Sequence, residues 1–115
     1  MKVFRVEKPD GTGPYRHSEI GSELCRIHGG TTNHPGPLDD TDPEGKPLCN
    51  FLWQDGSYIF GFSSLVQMLA WFLDELELLK AHSFVVSVYE SSQVVEGRFQ
   101  VIFIRESDPI ETIKL

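Results

Sequence analysis

The chain has 115 residues, of which 40% are hydrophobic, and its formal net charge is −7. A chain of this length and composition buries a single core, which excludes wholesale disorder. The acidic balance disfavours nucleic acid as a partner, since phosphate backbones are bound by basic surfaces, and no run approaches the roughly 20 apolar residues of a transmembrane helix. We therefore predict one domain over residues 1–115, resident in the cytoplasm because the N-terminus has no signal-peptide pattern.

The N-terminal part begins with a predicted strand, VFRVE, whose alternation places Arg5 and Glu7 on one face. Residues 11–47 are predicted to form a loop-rich insertion between the first and second strands, because Gly, Pro, Thr, Asp and His dominate there. Within it, SEIGSELCRIH predicts a helical turn or two, capped at Ser18 or Ser22. Loops of this length are typical of functional segments, so the insertion is the first place to seek a site.

The middle of the chain combines strand and helix signals. Residues 48–54, LCNFLWQ, are apolar and aromatic, and after a turn at the next DG the segment SYIFGF resumes as a strand. The following segment, SSLVQMLAWF, predicts a helix capped by Ser64, with Gln67 three residues later completing a capping box. A break is expected near Leu73, after which DELELLKAH predicts a second helical segment.

The C-terminal part predicts two strands, FVVSVYE and FQVIFIRE, that pair antiparallel, with a glycine-containing turn in VVEGRF between them. The tail from Ser107, broken by Pro109, is expected either to add a short edge segment or to fray. The order strand, irregular loop, strand, helix, strand, strand predicts an α+β fold. We expect a small, mainly antiparallel sheet packed against one long or broken helix, with a long irregular N-terminal loop region.

A zinc site is one hypothesis for the loop-rich region. Four side chains with the chemistry of zinc ligands follow the spacing C-x2-H-x5-H-x14-C; they are Cys25, His28, His34 and Cys49. The spacing matches no standard zinc finger, so zinc is disfavoured and no obligate cofactor is expected. In a cytoplasmic protein the two cysteines are predicted to be free thiols.

Acidic residues concentrate in DDTDPEG and again in DELE, which contains Asp74, Glu75 and Glu77. We interpret the first stretch as an exposed acidic turn. An acidic surface can steer a protein onto a basic partner. The residues predicted to contact such a partner are Asp39, Asp40, Asp42 and Glu44.

A further hypothesis joins residues from separate elements. Arg5 on the first strand, Ser63 after a middle strand, and Gln100 opening the last strong strand are similar in order to the ADP-ribosyltransferases. In that family a first-strand Arg or His and a later Ser or Tyr hold the dinucleotide, and a Glu opening a later strand acts in catalysis. Gln100 stands where the family has this Glu, so the resemblance implies a pocket for an NAD-like nucleotide without transferase activity. An active enzyme would be ADP-ribosyltransferase-like and would require Glu96 in that place. The implied ligand-binding residues are Arg5, Tyr15, Phe62, Ser63 and Gln100.

Three of these positions also have structural interpretations. Arg5 fits a strand residue whose stem covers apolar surface and whose charged head reaches water. The neighbouring Ser64 is explained as a helix cap, and Gln100 fits the solvent side of an alternating strand.

Several stretches resemble a set of small proteins encoded by bacteriophages and prophages. The stretches are VFRVE followed by GTGPYR, then HPGPLDD, FGFSSLVQMLAWF, and FVVSVYE with VVEGRFQVIF. The resemblance runs through most of the chain and implies a phage accessory role in the cytoplasm of the infected bacterium. Such a protein binds and modulates a host protein, in host takeover or against host defence. The sequence thus favours a non-catalytic interaction protein, with a nucleotide-binding protein and a zinc-stapled module as alternatives.

Overall fold

The computed structural model describes residues 1–15, 18–28, 34–36 and 39–115. Helices and short antiparallel strands make an α+β fold, as the sequence predicts. The elements in chain order are β1 (Lys2–Glu7), α1 (Gly21–His28), α2 (Leu48–Gln54), β2 (Tyr58–Gly61), α3 (Leu65–Phe72), α4 (Leu76–Ala81), β3 (Val85–Glu90), β4 (Val94–Glu96), β5 (Val101–Ile104) and β6 (Glu111–Lys114).

The strands form two antiparallel sheets of three strands in the part of the chain described. β3 lies between β1 and β6 in one sheet, and β5 lies between β2 and β4 in the other. The sheets meet where the backbones of Phe4 and Phe62 exchange two hydrogen bonds of 2.8 and 2.7 Å. The predicted pairing of FVVSVYE with FQVIFIRE is therefore wrong, because these segments are the central strands of different sheets. No local turn specifies the observed partners of β3, which are the first and last strands of the chain.

Two local predictions in the N-terminal half are also wrong. The segment LCNFLWQ forms α2 and does not extend a strand; Pro47 precedes it with φ −58°, an angle compatible with a helix start. Neither predicted serine caps α1, because the Ser18 hydroxyl donates to the Pro14 carbonyl and Ser22 lies inside the helix.

The start and the end of α3 are confirmed. The Ser64 hydroxyl accepts a hydrogen bond of 3.1 Å from the Gln67 backbone N–H. The Gln67 side chain reaches back to the Ser63 backbone N–H at 2.8 Å, one residue before the cap. The break near Leu73 separates α3 from α4, although α4 begins at Leu76 without a side-chain cap. The predicted edge segment of the tail is β6, which pairs with β3.

The core of the described residues has two clusters, one on each side of β1. The larger cluster packs α1, α3 and α4 against β1 and β3, and its largest members include Leu24, Met68, Trp71 and Phe72. The smaller cluster joins the two sheets and contains Val3, Tyr89, Val101 and Phe103. Among the described helices, none has both the length and the apolar character needed to cross a membrane.

Candidate functional site

A cavity of about 570 Å³ opens between β1, α1, β2 and the end of α3. This volume lies within the roughly 300–1,000 Å³ of small-molecule sites in proteins. Aromatic side chains make up much of the wall. They are Tyr15, Tyr58, Phe60, Phe62, Trp71 and Phe72.

The charge of the cavity differs from that of the whole chain. Its described lining contains Arg5, His28 and His34 but no Asp or Glu, although the chain carries a formal net charge of −7. A negatively charged ligand would therefore meet no carboxylate in this lining.

Arg5 is held in place by a buried carboxylate beside the cavity. Its Nε donates to Glu7 Oε1 at 2.8 Å, and its Nη1 donates to the Phe60 carbonyl at 2.7 Å. Glu7 also accepts from Arg105 Nη2 at 2.9 Å and from the Tyr89 hydroxyl at 2.5 Å. Burial lowers the pKa of Arg5, and the adjacent Glu7 opposes that shift. Two guanidinium groups thus share one carboxylate, and of the two only Arg5 lines the cavity.

A chain of hydrogen bonds runs from Trp71 into the interior. Trp71 Nε1 donates to the Tyr15 hydroxyl at 2.7 Å, and the Tyr15 oxygen lies 2.5 Å from His28 Nδ1. His28 Nε2 contacts the carboxylate of Glu75. Burial raises the pKa of Tyr15 well above its usual value, so the phenol keeps its proton. Burial also lowers the pKa of His28, and the nearby His34 lowers this pKa further. The hydrogen bond to Glu75 acts in the opposite direction and raises it. In the neutral ring, Nε2–H donates to Glu75 and Nδ1 accepts from Tyr15.

His34 stacks on His28, with ring centroids 3.8 Å apart and an interplanar angle of 4°. Its Nε2 lies 2.5 Å from the Trp71 carbonyl oxygen. A carbonyl oxygen only accepts hydrogen bonds, so Nε2 carries the proton and Nδ1 carries the lone pair when the ring is neutral. One ligand atom from each of His28, His34 and Glu75 lies within 4.8 Å of the others.

Four of the five residues suggested by the ADP-ribosyltransferase resemblance line this one cavity: Arg5, Tyr15, Phe62 and Gln100. Gln100 lies in the turn before β5, and its side-chain amide donates to the Pro35 carbonyl at 3.0 Å, so it does not face solvent on a strand. Ser63 is not part of the cavity lining, and its hydroxyl donates to Gln67.

Sequence reasoning missed the aromatic side chains of β2 and α3, although the run of rings in SYIFGF and LAWF was a usable signal.

The acidic turn is only partly exposed. Asp40 is 1% exposed, and its carboxylate accepts from the backbone N–H groups of Arg98, Phe99 and Gln100 at 2.6, 3.2 and 3.2 Å. The prediction that Asp40 contacts a partner is therefore wrong. Asp42 binds its own turn, accepting from the backbone N–H groups of residues 44 and 46. Asp39 and Glu44 are exposed.

The predicted zinc ligands do not come together as proposed. His28 and His34 meet, but the third group near them is Glu75, which is buried and does not belong to an exposed acidic surface. Cys25 is exposed and lines the cavity, whereas Cys49 is buried in α2 and is not part of the lining. Neither cysteine belongs to the cluster of possible ligands in the described residues.

Comparison with known proteins identifies a phage family. The model of the family described as Bacteriophage T4 Y00F protein matches residues 1–115. No curated protein and no solved structure matches the chain. The resemblance to ADP-ribosyltransferases therefore gains no support.

Proposed function

Because the chain belongs to the Bacteriophage T4 Y00F protein family, we propose that it is a phage accessory protein that acts by binding, without catalysis, in the cytoplasm of the infected bacterium. The proposed binding site is the aromatic cavity. Its ligand is a small molecule that carries a planar ring and an anionic group, a class that includes nucleotides. The observation that carries this proposal is a cavity with aromatic walls, the guanidinium of Arg5 and no carboxylate in its described lining, in an otherwise acidic chain.

The preference for a ring follows from the walls. Aromatic side chains stack on planar ligands, and a stacked base contributes about 1–3 kcal/mol to binding. Phe60 is 36% exposed although it lines the cavity, and it belongs to neither buried core cluster. Its ring is therefore available to cover a ligand without loss of core packing.

The preference for an anion follows from Arg5 and its neighbours. Glu7 balances only one of the two guanidinium groups that it binds. Burial lowers the pKa of Arg5 because the interior solvates its charge poorly. An anionic group in the cavity would compensate that loss of solvation.

Replacement of Phe60 by alanine is expected to weaken ligand binding about tenfold, the equivalent of one lost stacking contact. A thermal-shift screen with mononucleotides, NAD, ADP-ribose and aromatic carboxylates provides the measurement. At ten times its Kd a ligand stabilises the wild-type protein by about 1.4 kcal/mol, and a tenfold weaker Kd lowers this to about 0.4 kcal/mol.

Trp53→Ala is the matched control, since Trp53 is 75% exposed on α2 and is not part of the cavity lining. The Trp53→Ala variant should show the same ligand-induced thermal shift as the wild type. A ligand that stabilises Phe60→Ala as strongly as the wild type would show that binding occurs outside this cavity.

A second candidate function is binding of a host protein through an apolar surface. Leu65, Val66 and Leu69 on α3, with Leu73 directly after it, are 37%, 77%, 40% and 66% exposed. Clustered exposed apolar side chains mark interaction sites in soluble proteins. The exposed acidic residues Asp74 and Glu77 follow this surface in sequence, which favours a partner whose apolar groove has a basic rim. We propose that the exposed Asp39 and Glu44 steer association with the same partner.

The double variant Val66→Gln, Leu73→Gln is expected to lose at least about 90% of host-protein capture, because binding energy concentrates in a few apolar anchors. Its own fold should be unchanged, since glutamine favours helix at least as well as valine. The measurement is affinity capture from bacterial lysate at low and high salt. The control is Ile110→Gln, which alters a side chain that is 56% exposed outside α3. Equal capture by the double variant and the wild type would rule out this surface.

A further inference from the structure

We infer that His28, His34 and Glu75 form a binding site for a divalent transition-metal ion such as Zn²⁺ at the buried side of the cavity. The three side chains bring one ligand atom each within 4.8 Å of one another. His28 and Glu75 are 4% and 6% exposed, and both histidines line the cavity. The inference does not depend on the organic ligand proposed above, because metal binding is measured alone.

The ligand chemistry selects the class of ion. Two imidazole nitrogens and one carboxylate oxygen suit Zn²⁺, Co²⁺ or Ni²⁺, whereas Mg²⁺ and Ca²⁺ prefer oxygen ligands throughout. Three protein ligands leave the fourth tetrahedral position for water or a bound ligand. Because both histidines line the cavity, this position would face it, where an anionic group could coordinate the ion.

The surrounding hydrogen bonds orient both rings, and for His34 they also set the tautomer that a metal requires. The Trp71 carbonyl accepts from His34 Nε2, which places the lone pair on Nδ1. The Tyr15 hydroxyl lies next to His28 Nδ1, and His28 Nε2 faces the Glu75 carboxylate. Metal-binding histidines ordinarily hold their second nitrogen in such a hydrogen bond.

The step from hydrogen bond to metal site conserves protons. In the hydrogen-bonded arrangement, the neutral His28 ring carries its proton on Nε2, between the ring and Glu75. With an ion between Nε2 and the carboxylate, the ring proton would be carried on Nδ1 and donated to the Tyr15 oxygen. The Tyr15 hydroxyl would then turn its own proton away from His28, towards the cavity that Tyr15 lines. With bonds of about 2.1 Å and tetrahedral angles, ligand atoms lie about 3.4 Å apart. The His34 ligand atom must therefore approach the other two by up to about 1.4 Å. His28 Nε2 and the Glu75 carboxylate, which are in hydrogen-bond contact, must instead move apart to admit the ion.

The test is titration of chelator-treated full-length protein with Zn²⁺ and, separately, with Co²⁺. We expect one equivalent to bind, and the visible Co²⁺ spectrum to show tetrahedral coordination without a sulfur-to-cobalt charge-transfer band. His34→Ala and Glu75→Gln should each weaken binding at least about tenfold. His82→Ala is the matched control, because His82 pairs with Glu19 and lies outside the cluster.

Cys25→Ser separates this site from one that uses the cysteine, and it should bind the metal as the wild type does. Circular dichroism and thermal melting show whether each variant is folded. The test of the metal site needs only one folded variant, either His34→Ala or Glu75→Gln. Binding of less than about 0.2 equivalents by the wild type at ion concentrations far above those of protein would overturn the inference. Wild-type affinity in a folded ligand variant, or a thiolate band that Cys25→Ser removes, would also overturn it.

Discussion

Glu7→Ala is expected to lower the free energy of unfolding by about 3 kcal/mol, because a buried ion pair that loses one partner leaves the other charge uncompensated. The Glu7 side chain is 3% exposed and binds Arg5, Arg105 and Tyr89. Arg105 lies partly in solvent, so we expect the lower end of the roughly 3–5 kcal/mol range for buried pairs. Urea unfolding followed by tryptophan fluorescence measures the change. Because Glu7 also positions Arg5, the variant should bind anionic ligands in the cavity with altered affinity.

Glu90→Ala is the matched control for this prediction. Glu90 lies on neighbouring β3 and pairs with the N-terminal amine, but its side chain is largely in solvent. Exposed ion pairs contribute about 0–1 kcal/mol, so this variant should remain close to the wild type. A loss below about 1 kcal/mol in Glu7→Ala would contradict the role of Glu7 as shared counter-ion.

Asp40→Ala is expected to lower the free energy of unfolding by about 3 kcal/mol. Its buried carboxylate accepts three backbone N–H groups in the turn between β4 and β5. Each buried N–H donor left without an acceptor destabilises the fold by about 1–3 kcal/mol. Because water can partly hydrate the turn, we expect about 1 kcal/mol for each of the three donors. Chemical denaturation gives the free energy, and amide hydrogen exchange should show faster exchange at residues 98–100.

Asp39→Ala provides the comparison, because this neighbouring carboxylate is exposed. It should change stability by less than about 0.5 kcal/mol. Gly97→Ala should disturb the same contact, since a Cβ at Gly97 would lie 2.7 Å from the Asp40 carboxylate and would push it away from the turn. If Asp40→Ala and Asp39→Ala are equally stable, the carboxylate does not hold the turn.

Local signals account for the elements that the sequence predicts well. The Ser64 cap and the break near Leu73 depend on residues a few positions apart, and both appear in the structure. The partners of β3 could not be predicted in the same way. They are separated from it along the chain, and only the packed core selects them. LCNFLWQ was ambiguous because a short apolar run fits a buried strand or a helix equally well.

For the candidate site, too, the sequence indicates some residues, whereas the burial of others becomes evident only in the fold. Arg5 and Tyr15 attract attention in the sequence because of their residue types, and the fold brings them to one cavity. Asp40 and Glu75 could not be recognised as buried, because each stands among acidic neighbours that favour solvent. Their burial depends on partners far along the chain: the turn at residues 98–100 for Asp40, and His28 for Glu75.

Fluorescence of Trp71 tests most directly whether the cavity binds a ligand. The chain has two tryptophans, of which Trp71 lines the cavity and Trp53 is exposed elsewhere. In a Trp53→Phe variant, Trp71 is the only tryptophan and reports on the cavity alone. We expect a saturable change in its emission with a ring-bearing anion that also stabilises the protein thermally, and a weaker affinity when Phe60→Ala is added. Thermal stabilisation without any change in Trp71 emission, or no response to any ring-bearing anion, would contradict the proposed binding site.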